Sequence, residues 1–178
     1  ALELGKLMHL LYHFPKPTVA TIHGACYGGG LGLAACCKFV IAETHASFCF
    51  SEAKLGLIPA VISPYVVKAL GARHAEAYFL SAEVFDAAKA KELGLLYACV
   101  TADELTNCAH SLIDQLLQNG PHALREVREL IDLIAQTPEK ALLEETASKI
   151  AQIRGSEEGQ EGIQAFLEKR KPSWMINP

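Results

Sequence analysis

Hydrophobic and polar positions follow two different spacings along the first part of the chain. Leucines recur at helical spacing over residues 1–14, which predicts a helix that ends before Pro15 and Pro17. Short continuous runs of β-branched and other apolar residues are typical of buried strands. The pattern predicts strands at 18–23, 39–42, 46–50 and 95–100, and helices at 31–39, 65–70, 72–80 and 86–93. Ser63 is the predicted N-cap of the helix at 65–70, and Asp86 that of the helix at 86–93.

After Val100 only helical spacing remains. Thr101 and Glu104 form a capping box, which predicts a helix ending near Gln118. Further helices are predicted at 121–136, 138–154 and 157–169, because Asn-Gly, Thr-Pro and Gly-Ser pairs break the spacing between them. The predicted fold class is therefore α/β, with a core over residues 1–100 and a helical region over residues 101–178.

Gly28, Gly29 and Gly30 lie between an apolar strand and a predicted helix. The first N–H groups of a helix have no acceptor within it, and the helix dipole adds partial positive charge there. The segment has neither the lysine and hydroxyl of a phosphate loop nor the G-x-G-x-x-G spacing of a dinucleotide site. These backbone donors suit a transient oxyanion, such as that of a thioester carbonyl. Close packing of the helix on the strand is the alternative interpretation.

Other polar residues are weaker candidates for a functional site. Glu52 follows the strand at 46–50, where α/β sheets often carry functional groups, although a surface glutamate would have the same sequence. The six cysteines contain no C-x-x-C pair, and together with His23 they fit no zinc spacing. We therefore expect reduced structural thiols and no metal site. The cationic run at 169–171 suits either a solvated helix end or a phosphorylated ligand.

The composition narrows the class of protein. The chain has 178 residues, of which 51% are hydrophobic, and a net charge of −4. A mildly acidic balance argues against a nucleic-acid partner, and no apolar run approaches the roughly 20 residues that cross a membrane. We expect a cytoplasmic protein that binds neither nucleic acid nor membranes. The chain begins with Ala1 inside a helical pattern, which predicts that it is the later part of a longer polypeptide.

Several of these segments, taken in order, resemble the enoyl-CoA hydratase/isomerase (crotonase) family. The likeness rests on residues 17–24 (PTVATIHG), 28–33 (GGGLGL), 48–59 (FCFSEAKLGLIP), 86–95 (DAAKAKELGL) and 161–171 (EGIQAFLEKRK). It implies a crotonase-like (ClpP/crotonase) spiral of ββα units, with the N-terminal units absent and a C-terminal α-helical trimerisation region. It also implies a homotrimer or hexamer that acts on an acyl-CoA thioester. No separate cofactor is expected, because coenzyme A is part of the substrate.

The resemblance further implies roles for individual residues. Gly29 would donate one of two N–H groups that bind the thioester oxygen as it gains negative charge, and Glu52 would be the acid/base. Residues expected to line the coenzyme A site near the thioester are Tyr27, Gly28, Ser51 and Ala60. Phe166 and Lys169 would contact the adenine end of coenzyme A, often across a subunit boundary.

Two departures from the family pattern bear on the reaction. Gly32 stands where hydratases of the family usually carry a second glutamate. Three alternative functions therefore stay open: hydration by one carboxylate, double-bond isomerisation by Glu52, and a silent paralogue that binds CoA. Residues 59–67 (PAVISPYVV) are similar to a methylglutaconyl-CoA hydratase-like branch linked to leucine breakdown. We expect Gly32 to remove a charge and open space near the reacting carbons, which favours a substrate with its own carboxylate.

Overall fold

Short strands and helices alternate through the first part of the computed structural model, which describes residues 1–176. The elements are α1 (Leu2–Tyr12), β1 (Val19–Ile22), β2 (Ala25–Tyr27), α2 (Gly29–Cys36), β3 (Phe39–Glu43), β4 (Ser47–Cys49), α3 (Ser63–Leu70), α4 (Ala72–Ser81), β5 (Phe85–Asp86), α5 (Ala87–Glu92) and β6 (Ala98–Val100). A 3-10 turn at Ser51–Leu55 follows β4. The helices α6 (Leu105–Leu117), α7 (Pro121–Gln136), α8 (Glu139–Gly155) and α9 (Glu157–Leu167) come next, and a 3-10 turn at Ser173–Met175 follows them.

The strands form two three-stranded sheets. The first sheet has the order β1-β3-β6 and is parallel throughout, with Val19 opposite Phe39 and Ile41 opposite Ala98. In the second sheet, with the order β2-β4-β5, β2 and β4 are parallel and β5 is antiparallel to β4. Two consecutive strands enter different sheets before the next helix begins, first β1 and β2, then β3 and β4. This ββα repeat is the crotonase-like spiral that the resemblance implied.

A cluster of apolar side chains packs around the sheets. Phe48, Leu31 and Val66 are fully buried in it, and the rings of Phe48 and Phe85 stack with centroids 5.6 Å apart. Burial raises the pKa of Cys26 to about 11. The Cys26 thiol therefore behaves as a small apolar group.

Most predicted elements are present, and the differences lie in short segments. The strands β2 and β5 and the turn at Ser51–Leu55 were not predicted. Asp86 caps α5 as expected, because its Oδ1 accepts from the Lys89 N–H at 2.8 Å. The N-cap predicted at Ser63 is wrong: Ser63 is the first residue of α3, and its Oγ donates to the carbonyl of Ala60 at 2.9 Å. The backbone is already helical at the preceding residue, so no N-cap position is left for Ser63.

The chain divides into two compact units, the first ending at Ser111 and the second beginning at Leu112. The sequence prediction placed this boundary after Val100. Within the second unit, Glu158 accepts the N–H groups of His122 and Ala123 at 2.8 and 2.7 Å and so caps α7. No helix in the described part of the chain is both long enough and apolar enough to cross a membrane. No group of three or more His, Cys, Asp or Glu in residues 1–176 could hold a metal ion.

Acid is expected to release the C-terminal segment of the second unit. Arg170 donates to both carboxylate oxygens of Glu161, at 2.6 and 2.7 Å, and the Ser173 N–H donates to Oε1 at 2.8 Å. These hydrogen bonds, first that of Arg170, lower the pKa of Glu161 from 4.5 to about 2. Because the folded state lowers this pKa, the contribution to stability is complete above pH 4.5 and is lost as the pH falls towards 2.

The fluorescence of Trp174, the only tryptophan of the chain, is the measurement that checks this pH dependence. Its signal should change between pH 4.5 and pH 2 in the native sequence. Glu161→Gln should show the altered signal already at neutral pH. Identical profiles for the two proteins would contradict this role of Glu161.

Candidate active site

The carboxyl ends of β2 and β4 meet at one edge of the second sheet. The two strands are parallel, with Tyr27 opposite Cys49. Gly28 follows β2 directly, and its N–H donates to the carbonyl of Cys49 at 3.0 Å. The chain then leaves β4 and enters the 3-10 turn that carries Glu52. Strand pairing therefore brings the glycine turn and Glu52 side by side, although they are distant in sequence.

Gly28 is the residue that lies against the carboxylate. A Cβ placed on Gly28 would be 3.5 Å from Glu52 Oε1 and 3.8 Å from Ser51 Oγ. Gly28 also has a φ of +49°, which residues with a side chain rarely adopt. A larger residue here would be strained and would occupy the space in front of the carboxylate. Glycine at this position keeps the approach to Glu52 open.

The N–H groups of the first turn of α2 are the candidate oxyanion donors. The first hydrogen bond within the helix runs from the Gly32 N–H to the Gly28 carbonyl, at 3.1 Å. The N–H groups of Gly29, Gly30 and Leu31 therefore have no acceptor inside the helix, and the helix dipole places partial positive charge on them. Gly29 is adjacent to Gly28 in the chain, so the turn combines backbone donors with a nearby carboxylate.

The carboxylate of Glu52 is incompletely satisfied. The residue is half-buried, but its Oε2 atom is buried and has no hydrogen-bond partner within residues 1–176. None of the ion pairs formed in that part of the chain includes Glu52. A buried carboxylate oxygen without a partner costs free energy, so such groups occur where a ligand, a water or a reaction needs them. This feature distinguishes Glu52 from an ordinary surface glutamate.

The other residues expected at the site differ in their placement. Ser51 lies beside Gly28 with Glu52, and Tyr27 is 41% exposed at the end of β2, with its hydroxyl 3.2 Å from Ser47 Oγ. The Ala60 N–H donates to the carbonyl of Ile58 at 2.8 Å, so in this structure it is engaged within its own loop. The place of Ala60 at the coenzyme A site stays a prediction.

Phe166 and Lys169 belong to the second unit and are described with it. The Phe166 side chain is 81% exposed at the end of α9. Lys169 follows with a positive φ of 54°, and its N–H donates to the Phe166 carbonyl at 3.2 Å. Both side chains are exposed, as a contact with a ligand or another subunit would require.

The space expected beside Gly32 is filled. A Cβ placed on Gly32 would overlap the side chain of Ile62, lying 2.7 Å from Ile62 Cβ, and would lie 2.8 Å from Met8 Cε. Ile62 is 2% exposed and Met8 is fully buried. The expectation that Gly32 opens room near the reacting carbons is therefore wrong. We call Ile62 and Met8 the Ile62–Met8 wall.

Sequence reasoning missed the Ile62–Met8 wall. Met8 lies one helical turn after Leu4 in α1, and Ile62 lies in the segment 59–67 that departs from the family pattern. Each residue is apolar at a plausible core position, which is a signal for burial. Nothing in that signal places either of them against Gly32.

Comparison with known proteins agrees with this fold. The sequence model of the family described as enoyl-CoA hydratase/isomerase matches residues 2–177. The chain belongs to the enoyl-CoA hydratase/isomerase family, whose members are enzymes of the crotonase fold.

Relatives of known structure are similar over nearly the whole chain. A Legionella pneumophila protein, named provisionally as an enoyl-CoA hydratase/isomerase (crotonase), is 50% identical with a TM-score of 0.93; the match covers 97% of this chain and 67% of that one. An enoyl-CoA hydratase from Shewanella pealeana is 49% identical with a TM-score of 0.91, covering 97% and 65%. The mevalonyl-coenzyme A hydratase of Aspergillus fumigatus is 32% identical over 165 residues, covering 89% of this chain and 60% of that protein. The chain spans between 60% and 68% of the length of the first curated relatives it matches.

Proposed function

We propose that this protein adds water to the double bond of a 2-enoyl-CoA. The observation that carries the proposal is the buried, partnerless Oε2 of Glu52 beside the glycine turn at Gly28 and Gly29. A base and a set of backbone donors at one strand edge are the two parts that enolate chemistry on a thioester requires. Membership of the enoyl-CoA hydratase/isomerase family supports the same reaction.

The proposed mechanism uses one carboxylate for both proton transfers. The Gly29 N–H donates to the thioester oxygen and stabilises its negative charge, a contribution of about 10²–10³ in rate for one such donor. Glu52 accepts a proton from water while the water oxygen bonds to the β-carbon. The proton on Glu52 then passes to the α-carbon, the thioester carbonyl re-forms, and Glu52 returns to its charged state.

Isomerisation is the second candidate function, and the absence of a side chain at Gly32 favours it. With no second carboxylate at that position, two glutamates cannot bind the same water molecule. Glu52 alone can remove a proton from one carbon and return it to another. A paralogue that binds coenzyme A without turnover is the third possibility.

The finer identity of the substrate is also a proposal. A branched enoyl-CoA such as 3-methylglutaconyl-CoA, and hence a role in leucine breakdown, is supported by residues 59–67 and by the missing charge at Gly32. Open space beside Gly32 does not support this substrate, because the Ile62–Met8 wall fills that space.

For the assembly, we propose a homotrimer or hexamer in which Phe166 and Lys169 reach the adenine end of coenzyme A; their exposure supports this. A cytoplasmic location and the absence of a separate cofactor stay predictions.

Turnover by the full protein tests the proposal. Crotonyl-CoA, 3-methylglutaconyl-CoA and a 3-enoyl-CoA are supplied separately, and the products are identified by mass spectrometry. Gain of one water by either 2-enoyl thioester supports the hydratase. Conversion of the 3-enoyl to the 2-enoyl thioester without gain of water supports the isomerase. Binding of coenzyme A with no conversion of any substrate overturns both. A clear preference for crotonyl-CoA contradicts the methylglutaconyl assignment.

A further inference from the structure

We propose that the cavity between Lys38 and Lys68 binds a tetrahedral oxyanion of the phosphate type. The cavity has a volume of about 220 Å³ and is lined by the carboxyl end of α2, by α3 and by the end of α1. The glycine turn and Glu52 lie at the amino end of the same helix α2. The two sites are therefore separate, and this inference does not depend on the proposed hydration.

One aromatic ring brings the two lysine ammonium groups together. Nζ of Lys38 lies 4.0 Å from the centroid of the Tyr12 ring, and Nζ of Lys68 lies 4.9 Å from it. A cation within about 6 Å of a ring centroid is attracted by the electron-rich face. Because both distances end at the same centroid, the two nitrogens are at most about 9 Å apart. The ring therefore holds two positive charges beside the cavity despite their mutual repulsion.

The lining of the cavity favours an anion over a cation. None of the residues between positions 1 and 176 that line it is an aspartate or a glutamate. Lys68 forms no ion pair with another residue in that part of the chain. Each ammonium carries three N–H donors, and the face of the Tyr12 ring offers them no lone pair. An oxyanion placed between the two lysines would accept hydrogen bonds from both and reduce their repulsion.

Backbone structure fixes the positions from which both lysines extend. Lys68 follows Tyr65 by three residues on α3, so the two side chains lie on one face of that helix. The Tyr65 ring packs against the Tyr12 ring with the centroids 5.2 Å apart, which joins α3 to α1. The Lys38 N–H donates to the carbonyl and to Oγ1 of Thr18, at 3.2 and 3.1 Å. The backbone around the cavity is therefore ordered before an anion binds, which favours affinity.

The size and chemistry of the cavity indicate a phosphate group. Its volume of about 220 Å³ compares with about 30 Å³ for one water molecule in the liquid, so it can hold a phosphate group and several waters. Lysine binds phosphate as a point charge, without the planar match to a carboxylate that arginine provides. Both lysines are exposed, so the phosphate can be a free ion or the end of a larger molecule that extends into solvent.

Calorimetric titration of the full protein with inorganic phosphate, and separately with phenyl phosphate, tests the inference at low ionic strength. The native protein should bind one phosphate per chain, with an affinity that falls as salt is added. Lys38→Gln and Lys68→Gln should each weaken binding about 10-fold or more, because each removes a charge-assisted hydrogen bond. The matched control is Lys6→Gln, which removes the same charge from an exposed lysine of α1 that does not line the cavity. It should leave the affinity unchanged.

Three results overturn the inference. The first is no saturable binding of either probe by the native protein, and the second is unchanged affinity in both Lys38→Gln and Lys68→Gln. The third is equal weakening in Lys6→Gln, which would mean diffuse attraction to a charged surface. If inorganic phosphate binds at least as tightly as phenyl phosphate, the ligand is the free ion. If phenyl phosphate binds more tightly, the ligand is a phosphate carried by a larger molecule.

Discussion

Glu52→Gln is expected to lower turnover of a 2-enoyl-CoA by about 10²–10⁴-fold, the range typical of a positioned general acid–base. Glutamine keeps the shape of the side chain beside Gly28 but cannot accept a proton from water and return it to carbon. Affinity for an acyl-CoA thioester should be largely retained, since the backbone donors of α2 are unchanged. The measurements are kcat for hydration and the calorimetric affinity for a saturated acyl-CoA.

Glu76→Gln is the matched control, because Glu76 is an exposed carboxylate on α4 of the same unit. It should leave both kcat and affinity unchanged. Retention of full turnover by Glu52→Gln would remove Glu52 from the mechanism. Loss of both turnover and affinity, with a lowered Tm, would instead assign Glu52 a structural role.

The parts of the site could be recognised from sequence, but their contact could not. The glycines at 28–30 and the carboxylate at Glu52 were each visible as residues at a strand end. Their proximity depends on the parallel pairing of β2 with β4. β2 has only three residues between Gly24 and Gly28, which is too short for a hydrophobic pattern to reveal. The contact therefore follows from a pairing that only the folded chain makes.

Predictions from local sequence were wrong where other segments of the chain determine the backbone conformation or the packing. Ser63 and Pro64 have the sequence of a helix start, yet the backbone becomes helical at Ile62 and moves the cap one residue earlier. Gly32 is a stronger example of a prediction that local sequence cannot make. The missing side chain at Gly32 was interpreted as open space, but residues from other segments pack into that space. Here they come from α1 and from the residue before α3, and the sequence near Gly32 contains no information about either.

Gly32→Ala is accordingly expected to destabilise the protein by about 1–3 kcal/mol, the usual cost of overpacking a filled core. The added methyl would lie 2.7 Å from Ile62 Cβ, a distance that cannot be kept, and Ile62 is held by the backbone before α3. Met8 can move its terminal methyl, so most of the cost should come from Ile62. For a domain of this size each kcal/mol lowers the Tm by about 2–4 °C, so thermal unfolding measures the effect.

Gly30→Ala separates this packing effect from helix propensity. Gly30 is in the same helix, and a Cβ there would have Cys26 Sγ as its nearest neighbour at an ordinary 4.0 Å. Alanine is favoured over glycine inside a helix by up to about 1 kcal/mol, so this variant should be neutral or more stable. The two substitutions make the same chemical change two residues apart and should shift the Tm in opposite directions.

Combining Gly32→Ala with Ile62→Ala should lower the stability by less than the sum of the single changes, because the methyl group then occupies volume that Ile62 has vacated. Additive losses in that double variant would mean that Ile62 does not limit the space at position 32.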